Sequence, residues 1–187
     1  MATTGDFRVG MFIRFNGEIH RIEEYIHRTP GNLRAFVQAK LRNVKNGRVT
    51  ETRFRSGEEV EEVRVEQKEY QYLFFDGASY QFMDKESYEQ IPVDEKILGE
   101  GVRFIKEGET VILNMVGSEI VGAELPYNVE LKVTETVPGV KGDTATGAMK
   151  PATVETGATV NVPLFINEGD VIRVDTRTGK YLERVNS

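Results

Sequence analysis

Few residues in this 187-residue chain have the types and spacing that bond chemistry requires. Its two histidines, His20 and His27, lie close together, and there is no cysteine. No Asp-His-Ser set or carboxylate pair is arranged around the histidines, so acid–base and nucleophilic catalysis lack their parts. Gly99-x-Gly101 precedes a predicted strand rather than a helix, which is the wrong context for a dinucleotide fingerprint. Asp143-Thr144-Ala145-Thr146-Gly147 does not fit the spacing of an aspartic protease and reads as an Asx-type turn in a loop. The glutamates of residues 56–62 have no His or Asp beside them to complete a ligand set, so neither a metal nor a cofactor is expected. What remains is a constellation suited to binding. Arg28 and Arg34 flank Thr29, Pro30, Gly31, Asn32 and Leu33, and Leu33 is an apolar residue at a place where burial is improbable. Thr-Pro-Gly-Asn predicts a type II turn, with Pro30 fixing φ at the first central position and Gly31 supplying positive φ at the second.

The elements around that turn must hold it out. Residues 7–15 alternate apolar and polar through Val9, Met11 and Ile13, and end in Asn16-Gly17, the strongest short-range hairpin signal. Residues 18–26 run up to the Pro-Gly turn. Residues 35–44 return, with Ala35, Val37, Ala39 and Leu41 on one face and Gln38, Lys40 and Arg42 on the other. A second Asn-Gly, Asn46-Gly47, leads into a strand over 48–55. Four strands of this kind predict a small SH3-like barrel whose long middle hairpin projects the Pro-Gly tip. The acidic passage 56–62 reads as a boundary.

Strands are then expected over 70–75, 79–83, 102–105, 110–116 and 119–125. Ile91-Pro92-Val93 reads as a break, followed by a short helix over 94–98 capped by Asp94. Phe104-Ile105-Lys106-Glu107-Gly108-Glu109 is echoed 61 residues later by Phe165-Ile166-Asn167-Glu168-Gly169-Asp170. That echo makes 65–126 and 127–187 two versions of one five-stranded barrel, most simply an OB fold. The expected architecture is all-β: three consecutive small barrels, an SH3/KOW-like domain over 1–64 and two OB folds over 65–126 and 127–187.

Composition sets the class of partner. At 39% apolar and 29% charged residues the chain can bury real cores, and it has no apolar run able to span a bilayer. Its N-terminus lacks the pattern of an export signal, and a cytoplasmic location with no membrane partner is expected. The net charge of −6 is unevenly spread. Residues 1–55 hold 11 Lys/Arg and 5 Asp/Glu, whereas residues 56–187 hold 13 and 25. A basic first third on an acidic remainder suggests one end drawn to phosphate.

Lys150-Pro151-Ala152, followed by Gly157, Val160, Val162-Pro163, Ile166, Gly169 and Ile172, resembles the C-terminal signature of bacterial translation elongation factor P. Gly142-Asp143-Thr144 and the closing Tyr181-Leu182-Glu183-Arg184-Val185 look like that family too. So do Phe7-Arg8-x-Gly10, the Pro-Gly hairpin, Ala35-Phe36 and Lys40-Leu41-Arg42-Asn43 at the other end. The resemblance spans essentially the whole chain. It implies a non-enzymatic, monomeric, L-shaped factor that binds both ribosomal subunits beside peptidyl-tRNA and relieves stalling at consecutive prolines. It implies that residues 28–34 face the CCA end and acceptor arm. It also implies that Gly142, Asp143, Thr144, Tyr181 and Arg184 lie near the small subunit and the exit-site codon of the mRNA. Relatives commonly carry a post-translationally extended lysine at the apex, and another branch a modified arginine. Here Asn32 stands at that position, with Leu33 where glycine would follow. Asparagine cannot take the lysine-type extension, so no modification is expected at Asn32; a modified Arg34 is the competing reading. A family paralogue with another ribosomal task, or a general RNA-binding module, is the alternative function.

Overall fold

The structure, a computed structural model, describes residues 1–139 and 147–185. The described chain is built almost wholly of antiparallel strands in three sheets. Residue packing groups it into two compact units, residues 1–68 with 113–123 and residues 69–112 with 124–187.

The first sheet has six strands: β1 (Ala2–Thr3), β2 (Phe12–Phe15), β3 (Glu18–Arg28), β4 (Phe36–Asn43), β5 (Val49–Arg55) and β6 (Glu59–Glu62), in the order β1-β6-β2-β3-β4-β5. Asn16 (φ 52°) and Gly17 (φ 79°) both take positive φ between the paired Phe15 and Glu18, as a type I′ hairpin requires. The second Asn-Gly behaves differently. Only Gly47 has positive φ, and the Asn43 side-chain oxygen accepts from the N–H groups of Lys45 and Asn46, which widens the connection to four residues. The core is Phe7, Met11, Ile13, Ile22, Val37, Ala39, Leu41, Phe54 and Val60, with Tyr25 and Phe15 packed against it.

Two expectations for this unit are corrected. The strand expected over residues 7–15 is confined to Phe12–Phe15, because a short 3-10 turn at Thr4–Asp6, capped by Thr3, redirects the chain and buries Phe7 and Met11 from loop positions. Residues 56–62 are not a solvated linker face: Val60 is buried, Glu62 and Glu61 pair with Arg8 (2.5 Å) and Arg14 (3.4 Å), and β6 zips between β1 and β2. Alternation around one apolar residue made a strand of an acidic run.

The second sheet comprises β7 (Glu66–Phe75), β8 (Tyr80–Asp84), β9 (Gln90–Val93), β10 (Thr110–Val116) and β11 (Glu119–Glu124), ordered β11-β10-β7-β8-β9. Ile91-Pro92-Val93 continues the sheet instead of breaking it, because β9 is an edge strand and Pro92 owes the ladder no N–H on its open side. Helix α1 (Glu95–Leu98) starts as predicted, the Asp94 carboxylate accepting from the Lys96 N–H at 2.8 Å. Residues 100–104 form a 3-10 turn rather than the expected strand, entered through Gly99 at φ 83°.

The third sheet comprises β12 (Asn128–Thr136), β13 (Met149–Val154), β14 (Thr159–Pro163), β15 (Val171–Asp175) and β16 (Tyr181–Val185), ordered β14-β13-β12-β15-β16. Counted from its own first strand, each of these two sheets runs third-second-first-fourth-fifth, and β14 closes toward β16. The 61-residue echo is structural. The Gly108 N–H donates to the Tyr72 carbonyl (2.7 Å), and the Tyr72 N–H to that of Glu109 (2.9 Å). Sixty-one residues on, Gly169 donates to Val133 and Val133 to Asp170, each at 2.8 Å. Gly108 and Gly169 both sit at φ 90°.

Glu109, beside this motif, has one carboxylate oxygen buried with no hydrogen-bond partner. Burial pushes its pKa up; Lys106 opposes the shift and Glu155 adds to it. The protonated form is therefore favoured by folding. Glu109 stabilises the fold most below the ordinary glutamate pKa of about 4.3, and that contribution is lost as pH rises through the elevated folded value. Glu109→Gln is expected to melt higher than wild type at pH 7, with the gain shrinking as the pH falls toward 4. Equal melting temperatures at pH 7, or a gain that grows in acid, would contradict this.

Candidate nucleic-acid interface

The hairpin of β3 and β4 carries residues 28–34. Its ladder runs without a break from the bulge near Glu24 to Arg28↔Phe36, and β5 follows as far as Phe36↔Arg55. Inward-facing Val37, Ala39 and Leu41 anchor its root in the core. Beyond Phe36 no partner strand remains, and Arg28, Thr29, Gly31, Asn32, Leu33 and Arg34 are all exposed, Leu33 at 74%. The tip turn is not the predicted one. The Leu33 N–H donates to the Pro30 carbonyl at 2.9 Å, so Gly31 and Asn32 are the central residues, and neither has positive φ. The turn thus opens at Pro30, one residue later than expected, and Asn32 sits at its second central place.

Strand register shows what the sequence reading missed. On the outer face, Arg28, Phe36 and Arg55 form one cross-strand row, and Ile26, Gln38 and Arg53 the next. The Arg53 guanidinium lies 4.1 Å from the centre of the Phe36 ring. Farther down the same face, Lys40 pairs with Glu24 (2.9 Å), Arg42 with Glu23 (3.0 Å), and Gln38 donates to Glu51 (3.0 Å). Glu24 raises the pKa of Lys40, chiefly through their hydrogen bond. Among the described residues, Arg28, Arg34, Arg53 and Arg55 form no ion pair. Lys40 and Arg42 are thus neutralised, while four guanidinium groups near the tip are left bare, an arrangement that can capture phosphate oxygens. Alternation in the sequence placed Arg53 and Arg55 on one side of their strand; only pairing with β4 could show that this side continues Arg28. His20 is buried, its Nδ1 3.1 Å from the Glu18 carbonyl, and His27 is an exposed strand residue edge-on to Tyr25.

In the third sheet, Tyr181 and Arg184 share β16, and Arg184 interacts electrostatically with the Tyr181 phenol. Gly142, Asp143 and Thr144 lie outside the described residues. Buried Lys150 donates to the Val137 carbonyl at 2.5 Å, and a Cβ on Gly139 would stand 2.7 Å from the Leu164 carbonyl oxygen. Among the described residues no group of three or more His, Asp or Glu side chains could hold a metal ion, and no helix is long and apolar enough to cross a membrane.

Three family models match in succession: the elongation factor P KOW-like domain over residues 3–60, the elongation factor P OB domain over 65–123, and the elongation factor P C-terminal domain over 129–184. The chain is 51% identical to elongation factor P of Chloroherpeton thalassium over 98% of each chain. It is 50% identical to that of Roseiflexus sp. over 99% of this chain and all of the relative. The solved structure of eukaryotic translation initiation factor 5A from Methanococcus jannaschii superposes with a TM-score of 0.53 at 21% identity, over 65% of this chain and 86% of that one, a likeness of fold alone. A KOW-like sheet followed by two OB-like sheets defines a translation factor that works by binding, not catalysis. The chain belongs to the elongation factor P family, whose members interact with the ribosome and rescue it from stalling at consecutive prolines.

If the outer-face arginines meet phosphate, each one removed should lower the salt dependence of ribosome binding. Arg53→Ala is expected to weaken cosedimentation with ribosomes and to flatten the slope of log affinity against log salt by about 0.7–0.9. A parallel line of unchanged slope would exclude Arg53 from the phosphate track.

Proposed function

We propose that this chain, working in the cytoplasm as a monomer, sets its β3–β4 tip against the CCA end of a peptidyl-tRNA. Its outer-face arginines then follow the acceptor arm. The observation that carries the reading is the tip itself: a turn held by two paired strands, with Gly31, Asn32 and Leu33 exposed and its flanking arginines lacking carboxylate partners. Proline is a rigid secondary amine, so its attack on the peptidyl ester demands a well-positioned ester, and holding the ester contributes by proximity and orientation. Asn32 hydrogen-bonds the terminal nucleotides, Leu33 packs on a base or sugar, and Arg28 and Arg34 pair with phosphate. Thr29, Pro30 and Gly31 set the path of the turn. The loop acts unmodified, its pre-ordered turn substituting for a longer side chain. Domains bounded at 1–64, 65–126 and 127–187 divide the task. The third presents Gly142, Asp143, Thr144, Tyr181 and Arg184 to the small subunit and the exit-site codon.

Translation in vitro through three consecutive prolines tests this. Wild type is expected to shorten the pause, and Asn32→Ala and Arg34→Ala to lose about tenfold or more of that rate gain if one charge-assisted or buried hydrogen bond is removed. Absence of relief by wild type would remove the function; relief by both variants at the wild-type rate would remove the role of the loop. Mass spectrometry of the native protein is expected to give residues 28–34 their unmodified mass, and an adduct there would overturn the unmodified loop.

A further inference from the structure

The internal repeat allows two aromatic residues to be compared in matched surroundings. Phe104 and Phe165 occupy the same place in their copies, each preceding a buried isoleucine, Ile105 or Ile166. Both isoleucine N–H groups close the same kind of turn, Ile105 onto the Val102 carbonyl (3.1 Å) and Ile166 onto that of Pro163 (3.2 Å). The phenylalanines nevertheless differ sharply in exposure, 8% for Phe104 and 57% for Phe165.

The difference is a cover. A Cβ on Gly179, in the loop between β15 and β16, would stand 3.2 Å from the Phe104 ring. Nearby, a Cβ on Gly101 would stand 2.5 Å from the Thr176 carbonyl oxygen. That loop of the third sheet therefore seats closely on Phe104, and the Gly101 backbone meets Thr176 at a distance that leaves no room for a side chain. On Phe165 the ring is instead met by the guanidinium of Arg184, 5.4 Å from its centre. Among the described residues Arg184 forms no ion pair, whereas its neighbour Glu183 pairs with Arg173.

We propose that Phe165 and Arg184 form a stacking platform for an unpaired RNA base, with the guanidinium taking the neighbouring phosphate. This rests on the reading of the third sheet as an RNA-facing end, and it adds Phe165 to Tyr181 and Arg184. The choice of RNA over a protein loop follows from desolvation. Whatever covers Phe165 also covers the Arg184 head, and a buried guanidinium requires a compensating acceptor. Single-stranded RNA brings a π face and an anionic oxygen within one nucleotide, and aromatic–base stacking tolerates any base.

The test uses the full chain with Phe165→Ala, Phe165→Leu, Phe165→Tyr and Arg184→Ala. Ribosomes paused at consecutive prolines are titrated, and affinity and the rate of relief at saturation are measured separately. The expected result is about a tenfold loss of affinity for the Ala and Leu variants, with Tyr within about twofold of wild type. For the Phe165 variants the saturated rate should not change, and unfolding temperatures should not move, since the ring is already exposed. A Leu variant that binds like wild type would reduce the contact to apolar packing, as a protein loop would make it, and overturn the platform. Wild-type binding by every variant would do the same while leaving the functional reading intact. A wild-type chain that neither binds ribosomes nor shortens the pause would take down the functional reading and the platform with it.

Discussion

The arrangement depends on a mismatch in strand length. β3 has eleven residues, and it keeps its pairing with β4 to Arg28↔Phe36, past the last buried pair of the core. A two-stranded ribbon alone is only marginally stable in water. This one is held because Ile22, Val37, Ala39 and Leu41 fix its root, and because β5 stays paired with β4 up to Arg55. The Arg53 guanidinium on the Phe36 ring adds a clamp at the last paired row. A turn carried on such a ribbon keeps its backbone satisfied and its side chains free, which is what a group meant to touch something outside the protein needs.

Charge follows the same division. Ion pairs occupy the lower rows of the hairpin face, Lys40 with Glu24 and Arg42 with Glu23, and the rows near the tip have none among the described residues. Exposed pairs of this kind add little to stability. Their effect is to neutralise Lys40 and Arg42 below the bare guanidinium groups of the tip. The acidic strand β6 works similarly on the other side of the sheet, where Glu61 and Glu62 neutralise Arg14 and Arg8. Among the described residues the sheet leaves Arg28, Arg34, Arg53 and Arg55 without an ion pair beside the Pro-Gly turn, as it does Arg21, Lys45 and Arg48 at the far end.

Much of this was legible in the residues, for identifiable reasons. Asn16-Gly17 announced its turn because both of its φ angles must be positive, and few residue pairs accept that. The echo of Phe-Ile-x-Glu-Gly held because Gly108 and Gly169 each terminate a turn whose N–H is claimed by a strand far away in sequence. Other features depended on tertiary choice. Gly31 can adopt positive φ but is not forced to, so the type II turn gave way to one closed from Pro30 to Leu33. The glutamates around Val60 hid a strand that exists only because β1 and β2 offer it edges. Residues 102–105 read as extended, but residues 100–104 turn instead, with Gly101 close against the Thr176 carbonyl. Arg53 and Arg55 could join the candidate interface only once β5 had a register. That Phe104 is covered by the loop between β15 and β16 while its twin Phe165 stays exposed is a tertiary choice no local pattern encodes.

The account stands on the tip reaching the end of a transfer RNA. A photoreactive phenylalanine analogue in place of Leu33, in the full chain bound to ribosomes holding peptidyl-tRNA, measures this directly. The predicted adduct maps to the terminal nucleotides of that tRNA. Adducts confined to other RNA or to protein, with the chain still bound, would contradict it.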